Sequence, residues 1–280
     1  MSSASGPRPV SLGLFGFAMA AAVALCAAWP AAAGPVLHLK LDDATGSTIA
    51  SDSADAHDGT LKNMDPNTDW VTGKIGGALD FDGALDYVLV DDANDLDFGG
   101  GDFSVSFWVY KRQTGPSWDN VWGINKWNSG ASPGTNEWTV GLGGSGNSKP
   151  GFSMETDTGK YGASSADNIS LNRWHHIVGV RAGGALHLYV DNVLKASNPN
   201  VGTAVVNNVG RDMYIASAAS GTSYNTNAIF DDIQIYDMAL SDSHVSRLYN
   251  NPGSIIPEPA SLALLALGAL GLRLRHRRRR

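Results

Sequence analysis

The sequence predicts an all-β fold, a sandwich of two antiparallel sheets with one short helix near its C-terminal end. Three observations carry this expectation. Apolar residues recur with a period of two in short stretches, and Gly, Asn, Asp and Ser turns separate those stretches. The acidic residues are 24 Asp against three Glu, a bias towards turns and away from helix. The clearest stretch is WHHIVGVRAGGALHLYVD at 174–191. Trp174, His176, Val178 and Val180 alternate with His175, Ile177, Gly179 and Arg181. Gly183 and Gly184 then turn the chain, because Gly reaches positive φ without steric cost. Leu186, Leu188 and Val190 follow on one face, and Asp191-Asn192 supplies a second tight turn into Val193 and Leu194. The result is a three-stranded meander whose apolar face needs a second sheet to cover it.

In chain order, 36–41 reads as the first strand, closed by a turn at 42–46. The polar loop at 52–59 places Asp52, Asp55 and Asp58 within seven residues. It suits either a solvated turn or a Ca²⁺ loop, since hard cations take clustered carboxylate and carbonyl oxygens. Two short strands flank an Asp-Gly turn at 78–90. The stretch 103–110 sets Phe103, Val105, Phe107 and Val109 against Ser104, Ser106, Trp108 and Tyr110. Strands at 138–142, 152–155, 213–216 and 230–236 complete the sheets, and 239–249, with Ser241 as a cap, is the short helix.

Both ends of the 280-residue chain differ from this pattern. An apolar run at 12–28 behind Arg8 ends in Ala31-Ala32-Ala33, which resembles a signal peptide over 1–33 and implies a signal peptidase. Cys26 lies inside that leader, so the domain that follows has no thiol chemistry. At the other end Pro257-Glu258-Pro259 precedes an apolar run at 260–272 and an arginine-rich tip at 273–280. The run is short for a span, which takes roughly 20 residues. The arrangement resembles the PEP-CTERM sorting signal of Gram-negative bacteria over 257–280. That resemblance implies exosortase processing, only transient contact with the membrane, and a destination at the cell envelope or outside the cell. Between the ends lie a domain at 34–251 and a linker at 252–256. Seven of the 20 basic residues belong to the end segments, leaving 13 against 27 acidic ones in 34–259, a net charge of −14. So acidic a domain is a poor partner for nucleic acid or anionic lipid.

GKIGGALDFDG at 73–83, DYVLV at 86–90, FSVSFWV at 103–109, WHHIVGV at 174–180, LHLYVDN at 186–192 and FDDIQIYDMALS at 230–241 follow one another in a recognisable order. Together they resemble the laminin-G-like, concanavalin A-like superfamily. The resemblance implies a jelly-roll of two curved antiparallel sheets, often with a bound Ca²⁺ and often used to bind glycans or protein partners.

Chemistry must then be sought in particular residues. Laminarinase-type glucanases of this fold carry Glu-x-Asp-x-x-Glu on one strand. Here Glu155-Thr156-Asp157-Thr158-Gly159-Lys160 places a lysine where the acid belongs, so the strand supplies no carboxylate pair, and nothing in the sequence brings Glu137 alongside. His175 and His176 are strand neighbours pointing to opposite faces and are read as structural. Asp231 shares parity with Ile233 and Ile235, which predicts a buried carboxylate. It either closes a Ca²⁺ site with Asp52 and Asp58 or accepts backbone N–H groups; Asp232, of opposite parity, is expected in solvent. For a ligand, Trp118 and Trp127 in the polar segment 111–137 form the expected aromatic platform, with Trp122 in the core if 121–127 is a strand. Trp70, Trp108 and Trp174 read as packing residues. The expected function is a secreted, non-catalytic carbohydrate-binding module for extracellular or envelope polysaccharide, with Ca²⁺ as a structural ion. A protein-interaction or matrix-structural module is the alternative, and a diverged polysaccharide hydrolase or lyase is third.

Overall fold

Sixteen short strands and one helix follow one another along the residues that the computed structural model describes, 34–54, 57–114, 122–126, 137–144, 146–206, 208–218 and 225–257. In chain order the first eight strands are β1 (Leu37–Leu39), β2 (Ile49–Ala50), β3 (Gly59–Lys62), β4 (Trp70–Thr72), β5 (Gly77–Asp82), β6 (Tyr87–Val90), β7 (Phe103–Lys111) and β8 (Trp122–Lys126). They are followed by β9 (Glu137–Gly141), β10 (Gly151–Glu155), β11 (Lys160–Ser164), β12 (Trp174–Ala182), β13 (Ala185–Val190), β14 (Val193–Asn198), β15 (Met213–Ile215), β16 (Asn227–Tyr236) and the helix α1 (Asp242–Asn250). Two eight-stranded antiparallel sheets result. The first runs β14-β13-β12-β7-β16-β5-β4 with β1 also on β16, and the second β11-β10-β9-β8-β15-β6-β3-β2.

The meander read from 174–194 is β12-β13-β14. Its second turn holds Asp191 at φ 49° and Asn192 at φ 65°, the pair of positive values a two-residue hairpin requires. Between the sheets lie Leu37, Phe81, Val105, Phe107, Ile124, Trp138, Phe152, Ile177 and Phe230, all without solvent exposure. At Gly179 the sheets approach so closely that a Cβ would sit 2.9 Å from Val140 Cγ2 and 3.0 Å from the Phe152 ring. Four strands, β2, β3, β4 and β11, were not evident in the sequence, because they are short or polar.

The outward face of the first sheet is covered as well. Val178, Val180, Tyr189 and Tyr236 pack there against Leu240, Val245, Leu248 and Ile256. Ser241 caps α1 as expected: its Oγ accepts the His244 N–H at 3.3 Å, and His244 Nδ1 accepts the Ser241 N–H at 3.4 Å. The stretch expected as a linker, 252–256, is docked rather than free. The Gly253 N–H donates to Asp232 Oδ2 at 2.9 Å, Gln234 Nε2 donates to the Ser254 carbonyl at 3.0 Å, and the Ile256 N–H donates to Tyr236 Oη at 3.1 Å.

Strand β16 carries the main departure from simple alternation. Asp231 lies opposite Trp108 and Gln234 opposite Ser106, so β16 spends three residues where β7 spends two, with Asp232 at φ 49° in the bulge. Phe230 and Ile233 therefore both face the inter-sheet core, and Asp231 turns outward beside Trp108. The parity that grouped Asp231 with Ile233 and Ile235 fails because the bulge resets it. Asp232 is not in solvent either: it is 6% exposed and accepts from His38 Nε2 and Gln234 Nε2, each at 2.8 Å.

Candidate functional site

Where β7 ends and β12 begins, Tyr110 and Trp174 are cross-strand partners, their rings 5.7 Å apart and edge to face. One step along β7 lies Trp108, 3% exposed, with His176 at 5.0 Å between ring centroids and Tyr249 of α1 stacked at 5.7 Å and 17°. The Lys74 ammonium rests 4.5 Å above the Trp108 ring, a cation–π contact. Lys74, Trp108, Tyr110, Trp174 and Tyr249 line an open cleft of about 570 Å³, completed by Arg173, Asp191, Asn250 and Pro252. Trp108 forms the buried floor, while the half-buried Tyr110, Trp174 and Tyr249 offer ring surface to the cleft.

Each wall has a local cause. Tyr110 and Trp174 belong to long core strands, so their backbones are fixed by the sheet. Lys74 sits on the 73–77 turn, which Asp231 underpins by accepting the Ile75 N–H at 2.8 Å on Oδ2. Gly73 is required there, since a Cβ would come 2.1 Å from the Gly77 carbonyl oxygen and 2.5 Å from Asp231 Oδ2. The helix bearing Tyr249 is tied to the meander by Tyr189 Oη, which donates to Asp242 Oδ1 at 2.6 Å, and by Asn192 Nδ2, which donates to Ser246 Oγ at 3.3 Å.

Asp191 is committed within the protein. Its Oδ2 meets His175 Nδ1 at 2.7 Å, and its Oδ1 accepts the His176 N–H at 3.0 Å. Despite burial, these contacts and Arg173 hold its carboxyl below the ordinary range. It also lines a second, smaller cavity of about 190 Å³ with Ser165, Asp167, Asn168, Ser170 and Lys195, so the two recesses adjoin at this residue. Burial lowers the His176 pKa to about 4, so the ring that meets Ser106 Oγ at 2.9 Å is neutral at physiological pH. The two histidines do point to different partners, as their strand alternation requires.

The expected metal residues are not gathered into one site. Asp52 accepts the N–H groups of His38, Ala54 and His57 at 2.7 to 3.0 Å, and its own N–H donates to Asp58 Oδ1 at 2.8 Å. Asp231 instead supports the Lys74 turn. Its Oδ1 has no hydrogen-bond partner among the described residues, and burial, with Asp232 adding to it, raises its pKa to about 7. Among the described residues no group of three or more His, Cys, Asp or Glu is placed to hold a metal ion. Asp52, Asp58 and Asp231 thus do not fit a shared Ca²⁺ site: the backbone donors of the 52–58 turn occupy the first, and the β16 bulge directs the last elsewhere. Trp118 and Trp127 lie outside the described residues. Sequence reading took Trp108 and Trp174 for packing residues, which holds for the buried Trp108 but not fully for the half-buried Trp174, and it assigned no role to Tyr110 or Tyr249. The available signal was a pair of aromatics, Trp108 and Tyr110, on the polar-facing parity of β7.

The other sheet has a different outward face. Glu137 and Glu155 are direct cross-strand partners on β9 and β10, and Glu155 is also opposite Lys160 on β11. Register thus brings Glu137 beside Glu155, a pairing that no local pattern signals. Lys160 Nζ meets Glu155 Oε2 at 2.8 Å.

A sandwich of two antiparallel sheets with one short helix defines a concanavalin A-like class of fold. The chain belongs to the concanavalin A-like lectin/glucanases superfamily, whose family model matches residues 81–246. Residues 256–279 match the PEP-CTERM protein-sorting motif, so the domain is followed by an exosortase sorting signal. Domain 4 of AbnA, a GH43 extracellular arabinanase from Geobacillus stearothermophilus solved in complex with arabinotriose, is similar with a TM-score of 0.61 and 20% identity, over 77% of this chain and 98% of that one. The binding domain of Paraclostridial Mosquitocidal Protein 1 is similar at 0.58 and 18%, over 78% of this chain and 52% of that one. The Botulinum neurotoxin serotype D ligand binding domain in complex with N-acetylneuraminic acid is similar at 0.57 and 14%, over 79% and 52%. This chain thus spans about half the length of the two toxin domains. At such identities the likeness is one of fold. No curated protein matches the sequence.

Proposed function

We propose that this protein is a secreted, non-catalytic carbohydrate-binding module, delivered by its sorting signal to the envelope or beyond, and that the Trp174 cleft holds a glycan. The carrying observation is the convergence of Tyr110, Trp174 and Tyr249 on one cleft of about 570 Å³ rimmed by Lys74, Arg173 and Asn250. Sugar rings pair an apolar C–H face with hydroxyl edges, so they suit aromatic surface bordered by a few hydrogen-bonding groups. A glycan-bound neighbour of the same fold, the arabinanase domain with arabinotriose, agrees with this reading. The Glu155–Lys160 ion pair favours binding over hydrolysis, because a carboxylate tied to an ammonium is a poor proton donor.

The test is Trp174→Ala, assayed on a glycan array and on polysaccharide columns. The expected result is a loss of affinity of about tenfold, roughly 1.4 kcal/mol, with the melting temperature within about 2 °C of the parent. Undiminished binding by a folded variant would remove the cleft from the model.

A further inference from the structure

The cleft contrasts with the charge of the domain around it. In a segment carrying −14, two of the 13 cations, Lys74 and Arg173, stand on the rim of one aromatic cleft. Both are exposed, and neither makes a salt bridge among the described residues, although Lys126, Lys160, Arg112 and Lys195 each meet a carboxylate. The single acidic group in the lining is Asp191, and both of its oxygens are engaged by His175 and the His176 N–H. Asp231, beneath the Lys74 turn, is fully buried and accepts the Ile75 N–H, so it presents no oxygen to the cleft surface.

Order accompanies this charge. Lys74 is held over Trp108 by a cation–π contact, and its turn is fixed by Gly73 and Asp231. Arg173 immediately precedes Trp174, so its guanidinium and the indole belong to one strand start. A planar guanidinium matches a carboxylate or sulfate through two parallel N–H donors, and an ammonium adds a point charge. Lys74 meets no carboxylate among the described residues and Arg173 has only the Coulombic attraction of Asp191, so a negatively charged sugar would use both cations in register with the stacking surface, as a neutral one would not.

Resting on the reading that this cleft is the glycan site, we propose that its ligand is an acidic saccharide, with a carboxylate or sulfate between Lys74 Nζ and the Arg173 guanidinium and a sugar ring on Trp174. The domain's overall negative charge slows non-specific association with polyanions, so local recognition, rather than long-range attraction, selects the ligand.

The experiment uses the full-length chain on a glycan array that holds each acidic glycan beside its neutral counterpart, carboxyl-reduced for uronates and sialylated glycans and desulfated for sulfated ones. The acidic member of a pair should bind at least tenfold more tightly, and the preference should shrink as salt rises from 50 to 500 mM. Lys74→Met with Arg173→Gln should abolish the preference while the melting temperature is retained, and Trp174→Ala should weaken acidic and neutral binding alike. Uronate hits without sulfate hits, or the reverse, identify which oxyanion is taken. Equal binding of acidic and neutral members would overturn this proposal and leave the glycan site standing. An acidic preference unchanged in the double variant would place the anion elsewhere and overturn it as well. No binding to any member would remove both.

Discussion

The outward faces of the two sheets are built on the same alternation and differ in composition and cover. On the first sheet, the positions of β12, β7 and β16 that point away from the inter-sheet core are His176, Trp108 and Asp231, then Val178, Ser106 and Gln234. They are buried beneath α1 and the docked segment 252–256, with the aromatic cleft at one end. On the second sheet the corresponding face presents Glu137, Thr139, Ser153, Glu155 and Lys160, with Ser153 and Lys160 exposed. The lesson is that a solvent-side strand position becomes the floor of a cleft only when a later part of the chain returns to cover it. Cover desolvates Trp108 and fixes the surrounding rings. On the second sheet Glu155, its side chain only 12% exposed, is paired with a Lys160 that stands in solvent, so the ion pair is of small consequence.

The contrast can be broken most forcefully at Trp108. Trp108→Ala should cost about 3–5 kcal/mol of stability in urea unfolding, as for a buried aromatic. A cost below about 1 kcal/mol would mean that this face is not a second core. Asp231 gives the next effect. Burial first, and Asp232 next, raise its pKa from 3.8 to about 7 in the folded state. Folding therefore retains a proton that the unfolded chain has released, and the Asp231 contribution to stability falls as pH rises from about 4 towards 7. Wild type should lose on the order of 3 kcal/mol relative to Asp231→Asn across that window, read by denaturation at a series of pH values. Parallel pH profiles would show that Asp231 titrates normally.

On the outward face of the second sheet, Glu155→Gln should change stability by less than about 1 kcal/mol, because its partner Lys160 is solvent-exposed, and leave glycan binding intact. A large loss of binding would move the site to the second sheet. Smallest of all is the expected response to metal. EDTA against millimolar Ca²⁺ should shift the melting temperature by less than about 1 °C, since Asp52, Asp58 and Asp231 each meet separate backbone donors and no group of three acidic or histidine side chains is gathered among the described residues. A rise of several degrees with Ca²⁺ would restore a metal site to the domain.

Much of the fold was legible because its signals are local. The Asp191-Asn192 turn, the cap at Ser241 and the alternation of 103–109 each depend on residues within a few positions of one another. The candidate site was legible only in part. Trp108 and Tyr110 could be placed on the non-core side of β7, but nothing local says that Tyr249, Lys74 and Trp174 gather round them. Asp231 was correctly expected to be buried and wrongly assigned to the core face, because one extra residue in β16 inverts the parity. Likewise the position of 252–256 between the domain and the sorting signal suggested a linker, whereas Asp232, Gln234 and Tyr236 supply the partners that dock it.

By itself the sequence determined the class of fold, the sorting signal that follows it and the strongly acidic character of the domain. Each of these follows from periodicity, turn chemistry or composition, which need no knowledge of what lies nearby in space. Tertiary structure decided which outward face would be covered, where the bulge would turn Asp231, and that rings from β7, β12 and α1 would share one cleft with two cations. Those outcomes depend on strand register and on contacts between residues far apart in the chain, and a one-residue change in register exchanges one face for the other.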